Sequence, residues 1–309
     1  MGRGEPALGL LGEDLGVSRP VRTALVVLLL AAVGLSGCSG DDDPGDDPSP
    51  SAAPTTAPPP TAAPAPPRPQ RLECRRLSFD EALAPTDSDR IVGCKAPHTG
   101  QTYAVGQLRT TVAGHLVAVD SARVQDQVAR LCPSKLAGFL GTTDDVLRLT
   151  MLRAVWFTPS LEQSDAGANW YRCDVVAVAG DDRLAPIRGS LQDGLADEAG
   201  VDAFGMCGTS APDDQRFRRV LCREAHTWRA IRTVELPGRA YPGEKRVREA
   251  GQAPCEDAGR EVAEDPLDYE WGYEWPTAEQ WAAGQTYGRC WAPDAAAVDA
   301  DDADESEDA

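Results

Sequence analysis

The chain has 309 residues, of which 49 are acidic, 30 are basic and three are histidine, and its formal net charge is −19. No basic stripe is present that could follow a phosphate backbone, so nucleic-acid binding is disfavoured. Arginine outnumbers lysine by 27 to three, which we interpret as the mark of a GC-rich genome rather than of a binding function.

An export signal is predicted over residues 1–37. Arg19 and Arg22 precede a short apolar run, and the sequence LSGC ends at Cys38. A basic segment, a short apolar core and small residues at the cleavage point are typical of export, and the run is too short to span a bilayer. Acidic residues before Arg19 fit a signal poorly, so the true start is expected near Val17.

LSGC resembles the lipobox of bacterial lipoproteins, in which the cysteine is acylated, for example with palmitate, and becomes the new N-terminus. We therefore expect a lipid anchor on Cys38 and a location on the extracytoplasmic face of the cell membrane. Together with the arginine-rich composition, this indicates a bacterium of actinobacterial type. The alternative is ordinary cleavage that leaves Cys38 as a free thiol, a liability in an oxidising compartment.

Two segments flank the predicted folded region. Residues 38–70 begin with five aspartates and continue as a Pro/Ala/Thr-rich stretch, which is typical of an extended spacer of about 3.1 Å per residue. Residues 294–309 form an acidic tail. Such tails are usually solvated and disordered, although calcium or a cationic partner is an alternative ligand for acidic runs.

The first unit is predicted over residues 71–192, with the order β-β-α-β-α-β and an α+β fold. Alternating apolar and β-branched residues predict strands over 76–79, 102–108, 146–157 and 170–178. Apolar side chains recur at helical spacing over residues 124–136, which places Cys132 on a buried helix face. Pro133 is expected to kink that helix.

A second unit over residues 193–293 is predicted to repeat this order. Its predicted elements are a strand over 228–236, a helix over 247–262 and strands over 269–275 and 287–291. The motif P-[ST]-x-E-Q-x-x-A-G-x-x-[WY]-x-R-C begins at both Pro159 and Pro276 and includes a helix capping box each time. This recurrence predicts one structural unit used twice.

Eight of the nine cysteines divide equally between the two units. Export favours disulfides over thiols, but four cysteines allow three connectivities in each unit. Short spacings suit neighbouring strands and long spacings suit a helix joined to the last strand. We therefore predict the pairs Cys74–Cys94, Cys132–Cys173, Cys207–Cys222 and Cys255–Cys290.

His98 and His226 occupy matched positions four residues after a cysteine. Cys-x-x-x-His could supply two zinc ligands, but zinc needs two more, and the cysteines are expected to be oxidised. We therefore predict no metal or other cofactor and interpret both histidines as turn residues whose ring nitrogens satisfy buried backbone groups. Proton-linked sensing by the imidazoles is a third interpretation.

The second unit is rich in aromatic residues. Tyr269, Trp271, Tyr273 and Trp275 alternate with polar residues or glycine and share one strand face. A core face is the default interpretation. The alternative is a stacking platform for a glycan or a partner, because tyrosine and tryptophan rings are amphipathic. Trp228 and Trp281 could extend such a platform.

The enzyme motifs that carry a recognisable mechanism are absent from the sequence. It has no G-x-S-x-G, H-E-x-x-H, P-loop or C-x-x-C pattern. The sequence therefore predicts no catalytic residues and favours a binding protein over an enzyme.

The sequence VGCKAPH at residues 92–98 and PTAEQWAAG at residues 276–284 resemble the septum formation family of actinobacterial envelope proteins, over about residues 71–293. The chain departs from the family pattern at Gln101 and Arg229, where the family has an acidic residue, and at Ala225, which replaces a proline. If that acidic residue serves a function, this chain has lost it.

The resemblance implies a part in division or envelope biology without an established activity. We therefore predict a non-enzymatic, lipid-anchored protein that binds a division protein or a wall polymer and contacts the membrane through its anchor. The alternative is a glycan-binding or wall-modifying module that uses the aromatic face of the second unit.

Overall fold

The computed structural model describes residues 66–87, 90–180 and 182–294. Cys38, residues 39–65 of the spacer and the acidic tail beyond residue 294 lie outside these residues. The fold is mixed α+β, with antiparallel sheets and four disulfides. The strands are β1 (Cys74–Arg75), β2 (Ile91–Val92), β3 (Gly100–Gln107), β4 (Thr111–Val112), β5 (His115–Leu116), β6 (Leu152–Phe157), β7 (Trp170–Ala177), β8 (Met206–Gly208), β9 (Arg219–Leu221), β10 (Trp228–Glu235), β11 (Gly272–Glu274) and β12 (Tyr287–Pro293).

Eight helices complete the described part of the chain. They are α1 (Phe79–Leu83), α2 (Ala122–Leu131), α3 (Pro133–Leu140), α4 (Asp144–Leu147), α5 (Leu161–Asp165), α6 (Glu198–Phe204), α7 (Glu244–Val262) and α8 (Ala278–Ala282). None of the helices in the described residues is both long enough and apolar enough to cross a membrane.

Two five-stranded antiparallel sheets form the framework. Their strand orders are β2-β1-β3-β7-β6 and β9-β8-β10-β12-β11, and β4 with β5 forms a separate hairpin. The longest pairings join β3 to β7 in the first sheet and β10 to β12 in the second. Each of these pairings contains one register shift, after Thr102 and after Ala230 respectively.

Several predicted elements differ from the observed ones. The strand predicted over residues 76–79 is wrong, because Ser78 and Glu81 form a reciprocal capping box that starts helix α1. The strand predicted from residue 146 begins only at Leu152, since Thr143 caps the short helix α4 before it. The order β-β-α-β-α-β also omits strands, because each sheet has five and the short strands β1, β2, β8 and β9 were not predicted.

Pro133 separates two helices instead of kinking one. Pro133 is the first residue of α3, where an amide hydrogen would have no partner within the helix. Cys132 lies between Pro133 and the end of α2. Two capping boxes agree with the prediction: Ser160 with Gln163 at α5 and Thr277 with Gln280 at α8.

A single core joins the two sheets. Met206, Leu221 and Trp291 of the second sheet are buried in the same apolar cluster as Leu152 and Val175 of the first. Backbone hydrogen bonds also cross between the two halves, from the Met151 amide to Phe204 and from the Met206 amide to Leu149. The two halves therefore bury apolar surface against each other in addition to the surface that each buries alone.

Candidate functional site

The two matched histidines fasten the turns that lead into β3 and β10. His98 Nδ1 lies 3.0 Å from the carbonyl oxygen of Ala96, and His226 Nδ1 lies 2.7 Å from that of Glu224. A carbonyl oxygen only accepts, so Nδ1 is the donor in both rings. Both histidines are buried, and each closes the turn between a disulfide cysteine and the following strand.

The rings differ at Nε2. His226 Nε2 lies 3.1 Å from Asp294 Oδ2, which also accepts a 2.8 Å hydrogen bond from Arg229 Nε. Arg229 pairs with Asp202 as well, at 2.7 Å. Burial alone would lower the pKa of Arg229, but the bonds to these two carboxylates raise it. His98 Nε2 is buried and makes no hydrogen bond to any residue that the structure describes.

Gln101 and Arg229 occupy the positions where the resemblance expected an acidic side chain. Gln101 Oε1 accepts from the Leu191 amide at 2.7 Å, and its Nε2 donates to Ser190 Oγ at 3.1 Å. Arg229 connects Asp202 to Asp294. Both side chains therefore attach a distant segment to the start of a long strand.

Cys207, His226 and Asp294 bring one potential ligand atom each within 4.8 Å of one another. This group does not fit zinc, because Cys207 is bonded to Cys222 and a disulfide sulfur lacks the thiolate charge that binds the metal. The remaining imidazole and carboxylate are already paired with each other.

All eight cysteines of the two units form disulfides, in the four pairs that their spacing favoured. Two bridges join the first strand of a sheet to the turn before the histidine: Cys74–Cys94 and Cys207–Cys222. The other two join a helix or a helix junction to the last strand: Cys132–Cys173 and Cys255–Cys290. None of these eight sulfurs is a free thiol.

The aromatic strand residues pack beneath helix α7. Tyr273 is buried, and its hydroxyl donates a 2.9 Å hydrogen bond to the carbonyl of Val247. Its ring lies directly under Gly251, where any side chain would overlap it. Trp271 packs against Gly259, about two turns further along the helix. The glycines of α7 thus make room for these rings.

The other aromatic residues of the expected platform are also engaged. Trp275 is half-buried beneath the Arg248 guanidinium, whose carbon lies 4.7 Å from the ring centre. The Tyr269 hydroxyl accepts a 2.7 Å hydrogen bond from Arg260. Trp281 is buried against Tyr241. Trp228 is half-buried and lies beside Gly272. The aromatic face, for which a core face was the default interpretation and a ligand platform the alternative, is therefore mainly a helix-packing face.

A buried charge network, which sequence reasoning missed, covers one side of the first sheet. Arg172 lies 2.5 Å from Asp87 and 3.0 Å from Asp174, and all three side chains are almost fully buried. Arg75 joins the network through Asp87, at 3.9 Å, and Glu73. Burial raises the pKa of Asp174, against the opposing charge of Arg172.

A second charge cluster, also missed, lies where the two sheets meet. Glu274 Oε1 is 2.5 Å from Arg219 Nη2 and 3.3 Å from Arg289 Nη1. Burial alone would raise the pKa of Glu274, but the two arginines outweigh it and hold the pKa below its usual range. Arg289 Nε also donates to the carbonyl of Arg148 at 3.0 Å, which ties β12 to the first half of the chain.

Burial, followed by the charge of Arg289, lowers the pKa of Arg153 on β6 to about 10. Its Nη1 donates to two backbone carbonyls, those of Thr150 and Leu152, each at 2.7 Å. No sequence motif connects Arg219 and Arg289, because they stand on β9 and β12 and only the tertiary fold brings them together.

A family model described as septum formation matches residues 73–290. No curated protein and no solved structure matches the chain.

Proposed function

Because the chain belongs to the septum formation family, with the role in cell division or the envelope that this membership indicates, we propose that it acts there by binding and not by catalysis. In this proposal the mature protein is anchored through an acylated Cys38 on the extracytoplasmic face of the cell membrane. Residues 39–70 hold the folded region away from the bilayer. The folded region recognises a division protein or a wall polymer.

One observation supports binding without catalysis: the cysteine and histidine side chains that the sequence singled out for chemistry already bond to other groups of the protein. The eight cysteines are disulfide-bonded, and both histidine rings bind backbone carbonyls. Arg229 and Asp294 satisfy each other and His226. Groups held in this way stabilise turns and strand ends, and the one ring nitrogen among them without a partner in the described residues, His98 Nε2, is buried.

We further propose that residues 71–192 and 193–293 are two copies of one structural unit. Three observations support this: the corresponding strand orders of the two sheets, the paired disulfides, and the His98 and His226 turns. Positions shared by both copies are then expected to serve the fold. The contribution to binding is expected where the copies differ, at side chains that only one copy carries.

The proposal of a glycan-binding platform in the second unit loses its sequence support, because Tyr273 and Trp271 contact helix α7. A ligand that stacked on these rings would first have to displace that helix.

The binding proposal is tested by capture from living cells. The full-length precursor is expressed with an affinity tag after residue 309, crosslinked in growing cells and purified, alongside a Cys38→Ser variant. Fatty-acid labelling of the first protein only, and recovery of a division protein or wall material with it at higher yield than with the variant, is the expected result. Recovery of neither class of partner from the anchored, folded protein would overturn the proposal.

A further inference from the structure

The two matched disulfides at the histidine turns differ in how far solvent reaches them. Cys94 is partly exposed, whereas the other seven bridged cysteines are between 0% and 6% exposed. The bridge Cys74–Cys94 therefore has one accessible cysteine, and the matched bridge Cys207–Cys222 has two buried ones. A disulfide reacts with an external thiol only if the attacking sulfur can reach one of its sulfurs, so the two bridges are expected to react differently.

The packing around the two turns explains this difference. A Cβ placed on Gly93, the neighbour of Cys94, would have no atom within 4 Å. In the second copy, a Cβ placed on Gly205 would lie 2.9 Å from Cys222 Sγ, and the Cys222 amide donates to the Gly205 carbonyl at 3.1 Å. The backbone that follows helix α6 therefore packs on Cys222, while the turn that carries Cys94 is open beside Gly93.

The Cys94 turn is held by bonds that do not involve its sulfur. The Gly189 amide donates to the Cys94 carbonyl at 2.8 Å, and Arg76 Nε donates to the Pro97 carbonyl at 3.0 Å. Cys94 Sγ lies 3.4 Å from the carbonyl oxygen of Leu72, which would accept the hydrogen of a thiol at that position. The bridge can therefore open while the turn and the fold are retained.

Positive charge follows both cysteines of the matched turns. Lys95 comes directly after Cys94, Arg223 comes directly after Cys222, and both side chains are exposed. A neighbouring cation favours an incoming thiolate and a released one. Because this charge is present in both copies, access to the sulfur is the feature that distinguishes Cys74–Cys94.

We propose that the Cys74–Cys94 bridge is a site of thiol–disulfide exchange with an external dithiol. One thiolate of the dithiol attacks Cys94 Sγ, the bond to Cys74 Sγ breaks, and Cys74 leaves with the electron pair and takes a proton. The second thiolate of the dithiol then attacks its partner sulfur in the mixed disulfide, and Cys94 leaves as a thiolate. The dithiol is oxidised to a disulfide, and the bridge is reduced to two thiols.

This assignment goes beyond the proposed function. The chain is the substrate of the exchange and not its catalyst, so the proposal of binding without catalysis is unaffected. The site also depends neither on the lipid anchor nor on the identity of a septal partner.

The site is tested on the full folded chain under native conditions. The protein is equilibrated with increasing concentrations of dithiothreitol, free thiols are alkylated at each step, and the alkylated peptides are mapped by mass spectrometry. Near-UV circular dichroism of the same samples reports whether the fold is retained. Cys207–Cys222 is the matched control within the same molecule, since it joins the equivalent strand and turn of the second copy.

We expect Cys74 and Cys94 to become alkylated at a dithiothreitol concentration about tenfold or more below the one that opens Cys207–Cys222. The near-UV spectrum should remain that of the folded protein at this stage. Opening of the two bridges at the same concentration, or opening of Cys74–Cys94 only after the near-UV signal is lost, would overturn the site.

The kind of dithiol is identified by a second reductant. A reduced thioredoxin-type protein replaces dithiothreitol in the same alkylation experiment. Opening of Cys74–Cys94 by both reductants supports the site and assigns it to a protein dithiol. Opening by dithiothreitol alone, in the folded chain, supports the site and assigns it to a small-molecule dithiol. Opening by neither reductant in the folded chain would overturn the site.

Discussion

The hydroxyl of Tyr273 donates to the carbonyl of Val247 across a gap of 2.9 Å, and this bond connects the edge strand β11 to helix α7. Gly251 lies one turn after Val247 on the same helix, directly over the tyrosine ring. The aromatic content of the second half therefore reflects how α7 docks on its sheet. A pattern that suggested a ligand surface is instead a helix interface.

Filling the space over Tyr273 should destabilise the protein. Gly251→Ala places a methyl group where the Tyr273 ring lies. We therefore expect a loss of roughly 1–3 kcal/mol in the free energy of unfolding. Tyr273→Phe removes the hydroxyl and should cost about 1 kcal/mol. Gly138→Ala is the matched control, since a Cβ there has no atom within 4 Å and alanine improves helix propensity by up to about 1 kcal/mol. Urea unfolding measures all three, and a neutral Gly251→Ala would show that α7 does not lie on Tyr273.

Glu274 should make stability depend on acid pH. Its pKa is lowered in the folded protein, so its contribution is present above its unfolded pKa, about 4.3 for glutamate, and is lost as pH falls through the folded value. We expect Glu274→Gln to be less stable than the unaltered chain at pH 7 and the difference to shrink in acid. Glu270→Gln, at an exposed position, is the control. A difference that stayed constant from pH 7 to pH 3 would contradict the pairing with Arg219 and Arg289.

Loop length should determine which disulfide contributes more to the free energy of unfolding. The Cys132–Cys173 bridge spans 41 residues and Cys207–Cys222 spans 15. The chain-entropy model then predicts that replacing the first pair by alanine costs about 1 kcal/mol more than replacing the second. Denaturant unfolding of the two double variants measures the difference. The reverse order would show that native-state contacts outweigh loop closure at these bridges.

The sequence predicted the long elements better than the short ones. Strands β3, β7, β10 and β12 and helix α7 have enough residues for a periodic pattern, and the disulfide spacing constrains which of them are neighbours. Strands β2 and β9 have two and three residues, too few for any periodicity, and they exist because a longer strand supplies their hydrogen bonds. Helix α1 was missed although Ser78 and Glu81 carry the same capping signal that identified α5 and α8.

The candidate sites also differ in how far the sequence could predict them. The histidine turns depend on residues close together in the sequence, and the disulfides join cysteines 15 to 41 residues apart whose spacing predicted the pairs. The second charge cluster depends on Arg219, Glu274 and Arg289, which stand on three strands, β9, β11 and β12. Nothing in the spacing of these arginines distinguishes them from the other arginines of the chain, so only the fold could reveal the cluster.

The shared core predicts that the second half does not fold alone. Trp291, Met206 and Leu221 are fully buried in a cluster that includes residues of the first sheet. Expressed as residues 193–294, the second half should expose these side chains and lack a cooperative thermal transition, whereas residues 66–294 should unfold in one transition. Near-UV circular dichroism and calorimetry provide the comparison. Cooperative unfolding of the isolated second half would show that it has a sufficient core of its own.

The most direct test of the account is replacement of both matched histidines in cells. Glutamine can donate to the same carbonyls through its amide, so a His98→Gln, His226→Gln protein should fold, but it cannot act as a histidine acid or base. In a strain lacking the chain, we expect this double variant to restore septum formation as fully as the unaltered protein. The two proteins are compared at matched abundance and with their disulfides intact. A folded, equally abundant double variant that fails to restore septa would contradict the proposal that these positions serve the fold and not catalysis.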